Sequence, residues 1–435
     1  MHSFSEFLIM RRAFLYRFIP VSIFLAFAQF THAQAPEKPF YLHDNDTVVF
    51  YGDSITEQRY YTGWVEVYTA TRFPHMPIQF FSVGVGGDRV TGGSGGPIDE
   101  RLTRDLFPLK PTVVTILLGM NDGGYGPIKP EIDAKYTTGY EHILDSIQQT
   151  LPATRVTLLG PSAYDDVTRP VTFPGGYNAT LTHFSELDSR LAQKHNGTFI
   201  DLNASFVDSL KRGMAIDPLA TELLIPDRVH PEPMAHWFMA AAILKGWNAP
   251  AIVSSTTIDA EKQTVVSTIR SHVTDLTVTG ATVNWTELDD ALPLPLDDKN
   301  AANHFLLQIS DIQRDLNQQP LTVQGLKPGN YRLTIDGAPV GTFSEAEFAR
   351  GVNLTDFGTP MRGQAYAVSW LIRDRDDAHY VRLRMLVNQM KYGDPSEPGA
   401  TNLLPFESQM QKHIYDTAQP KPHKFRLTLL QSPTQ

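Results

Sequence analysis

Between Thr47 and about Pro250, short and nearly unbroken apolar runs alternate with longer stretches in which apolar residues recur every three or four positions. The first pattern suits strands buried on both faces, and the second suits helices that cover them. Candidate strands are Thr47–Tyr51, Ile78–Val83, Thr112–Leu118, Arg155–Leu159 and Thr198–Asp201. Candidate helices are Gly63–Arg72, Tyr136–Leu151, Thr180–His195, Asn203–Arg212 and Pro233–Lys245. The alternation predicts an α/β fold, a three-layer α/β/α sandwich on a parallel sheet, with reactive groups on loops at the carboxyl ends of the strands.

Near residue 250 the rhythm changes, and residues 251–435 read as a separate C-terminal accessory unit of mixed α+β character. A helical stretch is expected to about His272, then strand-like alternation from Thr277 to Trp285. Leu321–Phe343 reads as paired strands with turns at Leu326–Asn330 and Asp336-Gly337. Ser344 to Glu347 forms a capping box for a short helix closed by Gly351, and a long helix runs from Thr359 to about Met390. Its charged run, including Asp374, Asp376, Asp377 and His379, reads as a solvated face, and the tail after Tyr392 as proline-rich loop. No internal repeat is visible.

The amino-terminal pattern differs again. Arg11, Arg12 and Arg17 precede an apolar run from Phe18 to Phe30 that is too short to span a bilayer, and small residues follow at Ala33 and Ala35. Residues 1–33 therefore read as an export signal, with Met10 the better-placed start and a twin-arginine route as open as ordinary secretion. A retained anchor is the competing reading, opposed by Pro20 and the short run. The expected location is secreted or periplasmic, with domains at 1–33, 40–250 and 251–435. No later segment is long and apolar enough to be an integral membrane span.

Composition narrows the chemistry. With 42% hydrophobic and 19% charged residues, disorder over most of the chain is excluded. A balance of 37 basic against 47 acidic residues, −10, leaves no basic field for a phosphate backbone, so no nucleic-acid partner is expected. Without residues 1–33, which hold three arginines and Glu6, the balance is −12. Cysteine is absent, which removes disulfides, thiolate metal sites and a cysteine nucleophile. Histidines and carboxylates fall at no metal-ligand spacing, so no metal is expected. Six Asn-x-Ser/Thr sequons, among them Asn178 and Asn203, matter only in a eukaryotic source.

Candidate chemistry begins at the end of the first strand, in Gly52-Asp53-Ser54-Ile55-Thr56. A serine delivered by a strand's carboxyl end, beside a glycine that permits a tight turn, stands where a substrate reaches its hydroxyl. It needs a base, and Asp227-Arg228-Val229-His230 supplies one. A carboxylate three residues before a histidine can bond one ring nitrogen and leave the other facing the serine. Asp53 and Asp122 read as structural, and the remaining histidines, His236 included, as surface or packing residues.

This arrangement, Gly-Asp-Ser early and Asp-x-x-His late, resembles the SGNH or GDSL hydrolase family. Ser82-Val83-Gly84-Val85-Gly86-Gly87-Asp88 follows the second strand as that family's second block does, and Gly119-Met120-Asn121-Asp122 matches its Gly-x-Asn-Asp block. The resemblance covers roughly residues 45–246 and implies an SGNH, flavodoxin-like fold. It implies Ser54 as nucleophile, His230 as base, Asp227 as its orienter, and an oxyanion hole from the Ser54 N–H, the Gly87 N–H and the Asn121 amide. It implies no cofactor. Ser82 departs from the asparagine often found at the head of the second block, which bears on a local hydrogen bond supporting that loop.

A rival serine sits in Gly92-Gly93-Ser94-Gly95-Gly96, the Gly-x-Ser-x-Gly pattern, but no apolar strand precedes it and Pro97 follows, so it reads as a glycine loop bordering the site. The expected function is a secreted serine esterase acting on acylated, foremost O-acetylated, carbohydrate. The alternatives are a short-chain lipid or aryl esterase, and an inactive hydrolase fold that binds glycan. The partners expected are an acylated small molecule or a polysaccharide. Tyr60, Tyr61, Trp64 and Tyr125 stand near the predicted mouth, where aromatics either stack on sugars or pack. The C-terminal unit carries no chemistry of its own that the sequence names; binding carbohydrate, roofing the site and a purely structural role all remain open.

Overall fold

The computed structural model describes residues 39–297, 299–392 and 402–430, so the expected export signal at 1–33 lies outside the described residues. Five strands, β1 (Thr47–Gly52), β2 (Gln79–Ser82), β3 (Val113–Leu117), β4 (Arg155–Leu159) and β5 (Thr198–Ile200), form one parallel sheet in the order β2-β1-β3-β4-β5. Val48 lies opposite Val113, and Val113 opposite Arg155. Every residue of β3 is buried, as expected of a central strand covered on both faces.

The helices are α1 (Tyr60–Arg72), α2 (Pro130–Thr150), α3 (Gly176–Lys194), α4 (Leu202–Ile216) and α5 (His236–Gly246). The chain steps from β1 to β2 in one direction and from β3 through β5 in the other. Right-handed crossovers therefore put α1 on one face and α2 and α3 on the opposite face. Trp64 of α1 stacks on Trp237 of α5 at 4.4 Å between ring centres, and Tyr136 of α2 on Phe184 of α3 at 4.0 Å. The three-layer α/β/α sandwich on a parallel sheet is thus the architecture of the first half, and a mixed α+β region follows it.

In that second region the pattern read from sequence needs correction. The expected helix to about His272 is instead β6 (Ser255–Asp259), β7 (Thr264–Ile269) and the start of β8 (Ser271–Thr279). Thr256, Thr257, Ile258, Thr264, Val265 and Val266 explain the change, because β-branched side chains fit a pleated surface and crowd a helix. After β9 (Thr282–Asp289) and β10 (Pro320–Gln324) come β11 (Asn330–Ile335), β12 (Ala338–Ser344) and β13 (Val352–Asn353). The expected pairing of Leu321–Val323 with Tyr331–Ile335 does not form: β10 runs parallel to β6, with Leu321 opposite Thr256, while β11 pairs with β12. The capping box does form, Ser344 Oγ accepting the Glu347 N–H at 3.2 Å and Glu347 accepting the Ser344 N–H at 2.7 Å.

Helix α6 (Pro360–Tyr392) is followed by α7 (Leu404–Ala418) and β14 (His423–Leu429), where a proline-rich loop was expected, while residues 393–401 and 431–435 of that tail lie outside the described residues. Pro405 sits in the first turn of α7, where proline costs nothing, and β14 alternates buried and exposed residues at its start. The strands make an antiparallel sheet β8-β9-β14-β11-β12 and a mixed sheet β13-β10-β6-β7. Nor is the charged run of α6 a solvated face throughout. Asp374 and Asp377 are exposed, but Arg375 and His379 are buried where α6 packs on α1 and α7. Val67, Val368, Ile372, Ile414 and Ala418 form the apolar part of this seam. The described residues from Phe40 onward form one compact unit.

Candidate active site

Strand β1 lies between β2 and β3, so the loops leaving the carboxyl ends of these three strands converge. Ser54 opens a four-residue helix, Ser54–Glu57, directly after β1. Asp53 caps it, accepting the Ile55 N–H at 3.0 Å. The turn needs Gly52, because a Cβ there would stand 2.2 Å from Thr56 Oγ1 and 2.7 Å from the Leu117 carbonyl oxygen.

Asp227 and His230 come from the loop ahead of α5. Asp227 Oδ1 accepts the Val229 and His230 N–H groups at 2.9 and 2.7 Å, folding the loop so that the ring swings back onto the carboxylate. The Asp227 Oδ2 to His230 Nδ1 distance is 2.6 Å, and His230 Nε2 lies 2.8 Å from Ser54 Oγ. The three sequence-predicted residues therefore stand in one chain of hydrogen bonds. Arg169 pins the same loop by donating to the carbonyls of Ile225 and Pro226 at 2.9 and 3.0 Å.

Gly87 is exposed with φ +76°, a left-handed conformation that favours glycine. Its N–H belongs to the peptide whose carbonyl is that of Gly86, and Ser94 Oγ donates to that carbonyl. Ser94 stands at the exposed tip of a ribbon formed by Gly92–Gly93 and Gly96–Pro97, in the turn between two short strands rather than between a strand and a helix. Asn121 Oδ1 accepts the Tyr125 hydroxyl at 2.9 Å, which fixes the direction of its Nδ2. That Nδ2 donates to the Asp88 carbonyl at 3.0 Å and lies 3.4 Å from Asp53 Oδ2, leaving its second hydrogen weakly engaged.

The neighbouring carboxylates are scaffolding. Burial pushes Asp53 up to about 7, reinforced by Asp122 and Asp88 and opposed by the Ile55 N–H. Burial likewise raises Asp122 to about 6, against the Val90 and Gly119 N–H groups that it accepts at 3.0 and 3.1 Å. Burial also works on Asp227, but its bonds from His230 and Val229 prevail and hold it below the usual carboxylate range. It stays ionised beside the imidazole. His236 is fully buried, stacked on Tyr61, and burial drops it to about 3, so it stays neutral. Ser82 Oγ donates to the Thr56 carbonyl at 3.0 Å and so ties the end of β2 to the short helix that Ser54 opens.

Of the four aromatics expected near the mouth, Tyr125 is 43% exposed and touches the site through Asn121. Tyr61 is wholly buried and bonds Thr56, Trp64 is packed on Trp237, and Tyr60 leans on His236 at 5.3 Å. The sequon Asn203 is buried and bonded to Ser162 and Asn178. Sequence reasoning missed Glu57, whose Oε2 accepts the Gly86 N–H at 2.6 Å. Its position three residues after Ser54 on a helical turn was the available signal. Tyr380 and Arg384, which bond Glu57 from α6, had none. No group of three or more His, Cys, Asp or Glu side chains placed to hold a metal occurs among the described residues. Nor is any described helix long and apolar enough to cross a membrane.

Similarity to known proteins is found over the first half of the chain and over most of its length. A model of the GDSL-like lipase/acylhydrolase family matches residues 50–238. Among solved structures, a gut microbial diltiazem-metabolizing enzyme is 25% identical over 90% of this chain and 99% of its own, with a TM-score of 0.79. A putative GDSL-like lipase from Parabacteroides merdae is 19% identical over 48% of this chain and 99% of its own, TM-score 0.40. A catalytic mutant of an acetylxylan esterase from Geobacillus stearothermophilus is 22% identical over 48% and 96%, TM-score 0.37. No curated protein sequence matches the chain. The segment that carries Ser54, Gly87, Asn121, Asp227 and His230 is a GDSL-like lipase/acylhydrolase domain.

Proposed function

We propose that the protein is an exported serine esterase that removes short acyl groups, acetyl foremost, from carbohydrate. Ser54 Oγ attacks the ester carbonyl carbon while His230 Nε2 takes its proton, and the carbonyl electron pair moves onto oxygen. The oxyanion is held by the Ser54 and Gly87 N–H groups and by Asn121 Nδ2, and Asp227 stabilises the imidazolium. Collapse expels the alcohol, which takes the proton from His230. Water then attacks the acyl-serine with the same base, releasing the acid and Ser54. No cofactor enters this cycle.

The observation that carries the reading is the continuous contact from Ser54 Oγ through His230 to Asp227, at 2.8 and 2.6 Å. Export rests on the reading of residues 1–33, and the carbohydrate substrate on the family resemblance. The decisive comparison is acetate release from acetylated xylan against hydrolysis of octanoyl esters, with Ser54→Ala as control. Preference for acetylated polymer supports the proposal, and equal or better turnover of octanoyl esters removes it.

A second reading, an esterase of small non-carbohydrate molecules, is favoured by likeness across both halves to the diltiazem-metabolizing enzyme. Turnover of aryl acetates without turnover of acetylated xylan selects it.

A further inference from the structure

Glu57 sits on the same short helix as Ser54 and turns its carboxylate toward the loop that follows β2. Oε2 accepts the Gly86 N–H at 2.6 Å. Oε1 accepts the Tyr380 hydroxyl at 3.0 Å and pairs with the Arg384 guanidinium, while Arg384 Nε donates to the Tyr380 oxygen at 3.2 Å. Tyr380 is itself held, because the Arg59 guanidinium lies 4.0 Å from its ring centre and bonds Asp377 on the preceding turn of α6 at 2.8 Å. A Cβ on Gly86 would stand 3.0 Å from Glu57 Oε2 and 3.8 Å from Ser54 Cβ. The carboxylate, the glycine loop and the serine thus share one small volume.

Two physical consequences follow. The Gly86 N–H is anchored by Glu57 and the Gly86 carbonyl by Ser94, so residue Gly86 is held on both sides of its Cα and the peptide that carries the Gly87 N–H is held at its carbonyl. A bare carboxylate beside a developing oxyanion, however, would oppose it, since like charges in a partly buried site repel strongly. Arg384 supplies the compensating charge. We infer that Tyr380 and Arg384, on the long helix of the second half, position and neutralise Glu57, and through it hold the Gly86–Gly87 segment in the geometry that binds the oxyanion. They are positioning residues, since neither touches the reacting atoms. The inference rests on the assignment of Ser54 and Gly87 made above.

The test uses the full chain, with kcat and KM for p-nitrophenyl acetate and the affinity for phenylboronic acid, a tetrahedral adduct former, measured together. Arg384→Met strands the Glu57 charge and is expected to lower kcat about 10- to 100-fold, with KM nearly unchanged and boronate affinity falling in step. Tyr380→Phe, which removes a single oxygen, is expected to lower kcat about threefold and carries the test if Arg384→Met does not fold. The double variant Glu57→Gln/Arg384→Met is expected to recover most of the loss, because the amide is uncharged and its oxygen still accepts the Gly86 N–H. A purely structural role for Arg384 gives no such recovery. Arg384→Met with the parent kcat, or a double variant no faster than Arg384→Met, overturns the inference. Full hydrolysis by Ser54→Ala would instead defeat the nucleophile assignment, whatever the Arg384 variants do.

Discussion

The pair on the loop ahead of α5 and the pairs in the seam around α6 keep their charged side chains in opposite surroundings. At the carboxyl edge of the parallel sheet, Asp227 and His230 leave 55% and 37% of their side-chain surface exposed, so water reaches them. In the seam where α6 packs on α1 and α7, Arg375 meets Glu66 of α1, and Arg382 meets Glu407 of α7, with little of any of the four side chains exposed. An exposed pair rearranges at little cost, whereas a buried pair with one partner removed leaves an uncompensated charge. The site in the first half is therefore free to rearrange, and the seam that the second half makes against it holds position.

Substitutions should separate these roles. Ser54→Ala is expected to reduce kcat by about 10⁴-fold or more with an unchanged thermal midpoint, read by ester hydrolysis and calorimetry. Arg375→Met should do the converse, because it strands buried Glu66. Unfolding free energy in urea is expected to fall by about 3–5 kcal/mol, while kcat per folded molecule at 25 °C stays at the parent value. A large kcat loss there would erase the distinction between the halves.

Within the reacting half, Asn121→Ala is expected to cost about 10²- to 10³-fold in kcat with KM little changed, by steady-state kinetics. Acid titration probes the holding half. Burial pushes Glu407 up, but its bonds to His379 and Arg382 hold it at about 2 against an ordinary 4.5. The folded value lies below the unfolded one, so the stabilisation is complete above about pH 4.5 and is lost as pH falls toward 2. It amounts to at most about 3 kcal/mol, and Glu407→Gln should flatten the stability curve in that window. The smallest effect belongs to Tyr125→Phe, which releases Asn121 Oδ1 and is expected to cost about 1 kcal/mol in kcat/KM.

The first half was legible because its signals were local. Val113–Leu117 is an apolar run broken only by Thr115 because helices cover it on both faces, and Gly52 to Ser54 and Asp227 to His230 are contiguous segments whose short spacing is itself the geometry. The second half resisted for physical reasons. Val265 and Val266 lie on β7, every residue of which is exposed, so no alternation of polar and apolar residues marks it as a strand. The prolines near α7 and β14 suggested loop but occupy a first helical turn and a strand approach. Tyr380 and Arg384 meet Glu57 only through packing of α6 against the first half, which no local pattern encodes.

Strand β14 follows every other described strand in the chain, yet it lies at the centre of its sheet, with Phe425 opposite Trp285 of β9 on one side and Ile335 of β11 on the other. Until that segment leaves the ribosome, β9 and β11 lack the strand that joins them, and the backbone groups it would pair are the kind of open edge that recruits a wrong strand. Closing the gap joins segments far apart in sequence, which makes it a slow and late event. The nascent chain thus passes through an interval in which its first half has all of its strands while its second half depends on a keystone not yet synthesised.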